Sequence, residues 1–307
     1  MEKTLKKVWT SLLDGTLFKK IKKKIKFNKL KKIKDDKLFL IECAKLNTGN
    51  AINLDNPRLF DEKLNWLKIN KKEPKYTKYV DKYEAKFIVS KIIGEKYIIP
   101  TLGIYNDIKE IDFESLPNQF VIKTTHDSGG VFVCREKNKK NIKIMKKIIN
   151  KSMNRNFYSL YREYPYKDVK PRIIIEKLIT NSKDSNELND YKFFCFNGEV
   201  DSVMVCCDRN TGNTKFYFMD LDWNLKKYNK SSLLLPENFS IPKPNKFNEM
   251  IEIAKKLSVN KRFVRIDLYE SNDNIYFGEF TFFPDAGFDP NLLPEAQEYY
   301  GDLIDIE

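Results

Sequence analysis

The sequence is short of the residues that much hydrolytic and metal chemistry needs. One histidine, His126, occurs in 307 residues, which leaves little room for a His-rich metal site or a serine-hydrolase triad. Five cysteines are present (Cys43, Cys134, Cys195, Cys206 and Cys207), none of them in a CxxC pair. The count is odd, two are adjacent, and Cys134, Cys195 and Cys206 sit in apolar strand-like runs. Buried free thiols in a reducing cytoplasm fit that pattern better than a disulfide scaffold or a zinc site. No run approaches the roughly 18–20 apolar residues that cross a bilayer. The first residues lack an apolar stretch followed by a small-residue cleavage site, so export by a signal peptide is not expected.

What is present is enough for a sizeable core: 41% hydrophobic and 13% aromatic residues in a chain of one large domain or two to three lobes. The net charge of +13 is unevenly spread. Residues 1–34 hold thirteen lysines against Glu2 and Asp14, so +11 lies there and only +2 in the rest. Between positions 19 and 34 ten lysines alternate with Phe18, Ile21, Ile25, Phe27, Leu30 and Ile33 at helical spacing, and Trp9, Leu12, Leu13 and Leu17 make a similar stripe upstream. Three readings apply: association with an anionic membrane surface, a solvated lysine helix, or, least favoured, nucleic-acid binding. The body offers no second basic face for a nucleic acid.

Along the body, residues 35–80 read as short helices and residues 81–93 as an amphipathic helix stopped by Gly94. A strand at 119–123 runs into Thr124-Thr125-His126-Asp127-Ser128-Gly129-Gly130 and returns as a strand at 131–135. Residues 139–160 read as one lysine-rich helix, and 172–178 as a buried strand. The second half is strand-rich, at 190–196, 200–207, 216–218, 263–269 and 275–281, with a helix at 248–257. Strands and helices without regular βαβ alternation give an α+β class.

Two features carry chemistry. Lys123 ends a strand and precedes a small polar loop with Gly129-Gly130, which sets an ammonium beside backbone N–H groups and suits a polyphosphate. Such hairpins are also common as plain structure. Asp267 and Glu279 each interrupt an apolar strand, where an unpaired carboxylate is costly. They suit Mg²⁺, which takes carboxylate and phosphate oxygens together, or else structural pairing with Arg265 and a lysine.

The order of Asp81-Lys82, Ile99-Pro100, Val-Ile-Lys123 with its Gly-Gly loop, Glu176-Lys177-Leu178, Arg265-x-Asp267 and Gly278-Glu279 resembles the ATP-grasp superfamily. The chain is most similar to its TupA-like branch, found in surface-polysaccharide and teichuronopeptide gene neighbourhoods. The blocks that carry this are KLNWL at 63–67, YTKYVDKY at 76–83, HDSGG at 126–130, DYKFFCFNG at 190–198, DLDW at 220–223, FVRIDLY at 263–269 and IYFGEFT at 275–281. Together they cover roughly residues 56–305.

The resemblance implies an ATP-grasp fold, with two α+β lobes clasping ATP and a basic helical N-terminal extension. It implies a tail at 1–34, a helical segment at 35–80, a lobe with the phosphate loop at 81–177, and a lobe with the metal carboxylates at 178–307. Lys82 and Lys123 would hold phosphates, with His126, Ser128, Gly129 and Gly130 in the loop over them. Glu176 and the backbone of Lys177 and Leu178 would line the adenine slot. Lys192 and Lys215 are further phosphate candidates, Asp267 and Glu279 are the Mg²⁺ ligands, and Arg265 faces the transferred phosphoryl group or the acceptor. His126 stands as a phosphate contact, a loop anchor or, least favoured, a general base.

Two positions depart from the superfamily pattern. Thr281 stands where many members carry Asn, and Asp127 stands where a small residue is usual. The implied activity is an ATP- and Mg²⁺-dependent carboxylate–amine ligase acting on a sugar acid or amino acid in cell-surface polysaccharide assembly. It would be cytoplasmic, and peripheral on the inner membrane face if its acceptor is a lipid-linked glycan. Alternatives are a kinase of a sugar or lipid hydroxyl, a capsule-locus glycosyltransferase, or a non-catalytic glycan-binding protein. The turn at 283–288, Asp208-Arg209 and the aromatic run at 158–164 each read as acceptor contacts or as ordinary structure. Asp220/Asp222 reads as a turn more than as a metal motif.

Overall fold

The computed structural model describes residues 16–180, 188–209 and 212–307. Two antiparallel sheets organise it. The first has the order β1-β4-β2-β3, from β1 (Thr101–Tyr105), β2 (Phe120–Thr124), β3 (Val131–Cys134) and β4 (Ile173–Lys177). The second has the order β10-β9-β5-β6-β7-β8, from β5 (Asp190–Phe196), β6 (Glu199–Cys207), β7 (Lys215–Met219), β8 (Leu225–Lys226), β9 (Phe263–Ser271) and β10 (Asn274–Thr281). The α+β class is the observed one.

Strand alternation decides what each sheet offers to its two faces. In the first sheet Phe120, Ile122, Ile173 and Ile175 point one way and pack on Met145 and Ile149 of the helix Lys139–Met153. Val121, Lys123, Ile174 and Glu176 therefore take the other face. In the second sheet Phe193, Ile266 and Leu268 are fully buried in the large core that also takes in Phe247 and Ile253 of the helix Phe247–Ser258. That leaves Asp190, Lys192, Arg265, Asp267, Glu279 and Thr281 on the opposite face. The two polar faces meet.

One helix differs in length from its sequence reading. The stretch 139–160 is not continuous: it ends at Met153 and resumes only as Tyr158–Tyr161. Asn154 closes the helix, and Arg155 turns back to donate to the Ser128 carbonyl at 3.1 Å. The helix Glu84–Ile93, grouped by sequence with the phosphate-loop lobe, buries Ala85 and Val89 in the core of the second sheet. Its apolar face is turned to that core, whereas the first sheet already has its own helix.

In the basic extension the helix Thr16–Leu30 exposes Phe18, Ile21 and Ile25, while Phe27, Leu30 and Ile33 pack against the helix Asp36–Thr48. The upstream stripe through Trp9, Leu12 and Leu13 lies outside the described residues. Among the described residues no helix is long and apolar enough to cross a membrane. Asp220 accepts from the Asn224 amide at 2.7 Å in a tight turn, so the Asp-Leu-Asp segment is a turn.

Candidate active site

The loop after β2 is supported from within. Asp127 has no solvent exposure, and its carboxylate accepts from Thr124 Oγ1 and Ser152 Oγ, with Arg155 at 3.4 Å. A carboxylate here would repel a phosphate if it faced one, but the side chain points into the loop's own frame. Gly130 is required for the same reason: a Cβ there would lie 2.0 Å from Thr124 Oγ1 and 2.1 Å from Ser152 Oγ. Gly129 takes φ of 90°, a left-handed conformation that glycine adopts without strain. Ser128 and Gly129 are exposed at the tip. His126 is buried, neither ring nitrogen has a hydrogen-bond partner, and burial lowers its pKa.

Lys82 reaches this loop from the segment before the helix Glu84–Ile93 and donates to the Asp127 carbonyl. Burial lowers its pKa. On the sheet itself Lys123 Nζ lies 2.6 Å from Glu176 Oε2, while Lys86 Nζ lies 2.5 Å from Glu176 Oε1. Burial pulls Lys123 down, but the Glu176 carboxylate outweighs it and the ammonium ends above its usual pKa. The Glu176 side chain is clamped between two lysines and positions them. Lys177 ends the strand exposed and Leu178 half-exposed.

The second sheet supplies the carboxylates. Asp267 lies directly across from Glu279 on β10 and from Lys192 on β5. The Asp267–Glu279 pairing depends on a bulge between Phe277 and Glu279. Phe277 and Phe280 are both buried although three residues apart, so a strict period of two cannot hold, and the extra residue brings Glu279 to the face of Asp267. Gly278 takes the bulge, where a Cβ would lie 2.9 Å from Tyr269 Cε2 and 3.0 Å from the Asp267 carbonyl.

Arg265 grips Asp267 with two bonds, Nε to Oδ1 at 2.7 Å and Nη2 to Oδ2 at 2.8 Å, and Lys192 donates to Oδ2 as well. Burial pushes the Asp267 carboxyl up, but these two cations hold it below the usual range. Arg265 Nη2 also lies 3.7 Å from Glu279 Oε1 and donates to Thr281 Oγ1 at 3.1 Å. The Thr281 hydroxyl therefore serves Arg265. Glu279 is the open member, with its side chain 42% exposed against 1% for Asp267. Asp190 extends the network, 2.8 Å from Lys192 Nζ and 3.0 Å from Arg209 Nη1.

Lys82, Lys123, Lys192, Arg265, Asp267 and Glu279 thus share one cleft: Glu279 acts electrostatically on Lys82, Lys123, Lys192 and Arg265 alike. Lys215 is not brought in, being exposed and paired with Asp208 at 3.0 Å. Lys86 and Asp190 were not singled out by sequence, yet each had a signal. Lys86 follows Lys82 by one helical turn, and Asp190 precedes Lys192 by two on a strand, which puts both on one face.

The cleft counts six cations (Lys82, Lys86, Lys123, Lys192, Arg209, Arg265) and four carboxylates (Glu176, Asp190, Asp267, Glu279). The surplus of +2 suits a polyanion that brings one divalent cation with it. Among the described residues no group of three or more metal-type side chains gathers. A metal would rest on Asp267 and Glu279 and need oxygens from its ligand, as Mg²⁺ with a phosphate does. The donor set fits on that basis. Beyond Glu279 a cavity of about 690 Å³ opens, bordered by Ser128, Arg155, Lys192, Arg209 and Arg265 and walled by aromatic rings.

Two antiparallel sheets closing on such a cleft place the protein in the ATP-grasp class. The family model described as TupA-like ATPgrasp matches residues 62–305, and the chain belongs to that family. No curated protein matches the chain. Among solved structures, D-alanine–D-alanine ligase from Bacillus anthracis is similar at 13% identity over 74% of this chain and 65% of its own, with a TM-score of 0.43. The Helicobacter pylori D-alanine–D-alanine ligase is similar at 14% over 74% and 61%, with a TM-score of 0.40. The ATP-grasp ligase PsnB, complexed with a minimal precursor, Mg and ADP, is similar at 11% over 72% and 57%, with a TM-score of 0.37. The chain spans between 57% and 65% of the length of these three proteins. Relations this distant assign nothing to the site; the family match carries the identification.

Proposed function

We propose that the protein is an ATP-dependent, ADP-forming carboxylate–amine ligase that works through an acyl phosphate. One observation carries this reading: in a TupA-like ATP-grasp chain, three cations from both sheets, Lys82 beside them and two facing carboxylates converge on one cleft. A donor carboxylate oxygen would bond to the γ-phosphorus as the bond to the β-phosphate oxygen breaks and ADP leaves. An amine nitrogen would then attack the acyl carbon, expelling phosphate and shedding protons to solvent or to a carboxylate.

In this reading Lys82 and Lys123 bind ATP phosphates beneath the 124–130 loop, and Glu176 sets the direction of Lys123. Asp267 and Glu279 would hold Mg²⁺, which supplies charge neutralisation at the transferred phosphoryl group when bound. Arg265, locked by Asp267 and Thr281, presents a fixed cation to charge that develops in transfer. Its rigidity favours electrostatic catalysis, because no reorganisation is required at the moment of reaction.

The broader setting rests on the family: assembly of a cell-surface polysaccharide, with a sugar acid or amino acid as one substrate. Phe18, Ile21 and Ile25, exposed among lysines, support docking of the extension on an anionic leaflet, where a lipid-linked acceptor would lie. The deciding experiment is a thermal-shift panel of Mg·ATP, ATP alone and UDP-sugars, followed by phosphate release with candidate carboxylates and amines. Mg·ATP stabilisation and amine-dependent phosphate release are expected. Stabilisation by UDP-sugars alone would replace this reading with a glycosyltransferase, and phosphate transfer to a hydroxyl would replace it with a kinase.

A further inference from the structure

The cavity beyond Glu279 contains an acid that the nucleotide reading does not use. Glu163 is 6% exposed and borders the cavity, yet among the described residues no group donates a hydrogen bond to its carboxylate and none forms an ion pair with it. An ionised carboxylate in that position is costly without a partner. Burial raises its pKa to about 7, with Lys68 opposing the shift and Asp285 and Glu279 adding to it. Lys68 does not neutralise it directly, because its Nζ is committed to Asn65 Oδ1 at 2.9 Å and to the Ala286 carbonyl at 2.6 Å.

A second acid reaches the same cavity from the turn after β10. Asp285 is exposed to it, and its carboxylate likewise makes no hydrogen bond or ion pair. Its backbone is held at φ 46° and ψ 29°, and Ala286 follows at φ 55° and ψ 27°. Two consecutive non-glycine residues in the left-handed region are strained. The turn keeps this shape because two buried side chains are devoted to it: Lys68 on the Ala286 carbonyl, and Asn65 Nδ2 on the Gly287 carbonyl at 2.7 Å. Gly287 admits Asn65 this closely only because it lacks a Cβ, which would fall 2.7 Å from Nδ2. Tyr161, Tyr166, Phe283 and Phe288 supply aromatic wall to the same space. Rings of this kind accept a cation over their faces as well as the C–H faces of a sugar.

We propose that Glu163 and Asp285 form the subsite for the ammonium group of the acceptor, a primary amine on a small polar carrier such as an amino sugar or an amino acid. As an acceptor subsite this rests on the ligase reading; as an ammonium-binding site it is testable alone. The ammonium provides the charge partner that Glu163 lacks, and Asp285 fixes its approach from the pinned turn. The nitrogen is thereby placed in the cavity that begins at Glu279.

The test is isothermal titration of the full chain with D-glucosamine and L-lysine, against D-glucose and N-acetyl-D-glucosamine for the sugar and Nα,Nε-diacetyl-L-lysine for the amino acid as counterparts lacking any ammonium. Mg·AMPPNP is titrated separately into each protein. The wild type is expected to bind at least one ammonium probe tenfold or more tighter than its counterpart. Glu163→Gln should remove most of that preference and Asp285→Asn part of it, with Mg·AMPPNP affinity unchanged. Glu163→Gln takes from the buried Lys68 its leading counter-charge, so its melting curve is recorded as well, and retained Mg·AMPPNP affinity separates weakened amine binding from misfolding. Which probe wins separates a sugar carrier from an amino-acid carrier. Equal binding of charged and uncharged probes, or variants that keep the full preference, would overturn the proposal. Ammonium preference without any Mg·AMPPNP binding would uphold this subsite while removing the nucleotide reading.

Discussion

The two sheets bring charge to the cleft in different currencies. The first sheet and the segments beside it contribute three lysines, Lys82, Lys86 and Lys123, against Glu176, while Asp81 and Asp127 nearby are each paired with an arginine, Arg172 and Arg155. The second contributes three cations and three carboxylates, each acid facing a cation on its own or a neighbouring strand. All of the cleft's positive surplus therefore lies on the side of the glycine loop. The carboxylate side is balanced and rigid; it meets an anion favourably only when a further cation arrives with it. That asymmetry gives the ATP and Mg²⁺ expectations a physical footing beyond motif resemblance.

The comparison can be broken most severely at Asp267. Asp267→Asn takes from the buried Arg265 and Lys192 the carboxylate they share, a loss of about 3–5 kcal/mol for an internal ion pair of this kind. Urea denaturation should show it. Glu279→Gln, at the half-open end of the same pair of strands, should stay within about 0.5 kcal/mol of wild type in the same measurement. Turnover reverses the ranking of roles. Glu279→Ala and Lys123→Ala should each lower Mg·ATP turnover by about 10²–10³-fold with the fold intact, and undiminished rates in both would defeat the site assignment.

On the loop side the expected effects are smaller. Gly130→Ala drives a methyl into Thr124 and Ser152, and should cost about 1–3 kcal/mol by overpacking, together with weaker nucleotide binding. His126 sharpens the contrast by pH. Its folded pKa lies below the unfolded value near 6.5, so its contribution is complete above that value and is lost as the pH falls through it. Wild type should lose stability relative to His126→Gln between about pH 7 and 5, read by paired denaturation curves. The smallest effect belongs to Lys215→Ala, which should leave turnover unchanged because that lysine pairs with Asp208 away from the cleft.

Much of this arrangement was legible in the sequence because period-two alternation and a handful of loop residues encode it. Asp267 and Glu279, set in apolar strands, announced themselves by their cost, and Lys123 by its place before Gly129-Gly130. The roles of Asp127 and Glu176 were not legible. Both depend on what stands across space, Ser152 and Arg155 in one case and Lys86 in the other, and no local pattern reveals a side chain's distant partner. The break at Met153 was hidden because Met145, Ile149, Met153, Phe157 and Tyr161 keep a spacing of four straight through it. Glu163 read as part of the aromatic run at 158–164, and only the cavity shows that its carboxylate is unaccompanied.

The Lys82 contact with the Asp127 carbonyl ties a segment next to the larger core to the tip region of the smaller one. On the proposed nucleotide placement this strap crosses the position the triphosphate would take. A triphosphate entering there would substitute for an internal tether rather than add to an empty space, so arrival is an exchange. Release of the spent nucleotide would let the tether reform, and the resting shape would help to eject what it had admitted.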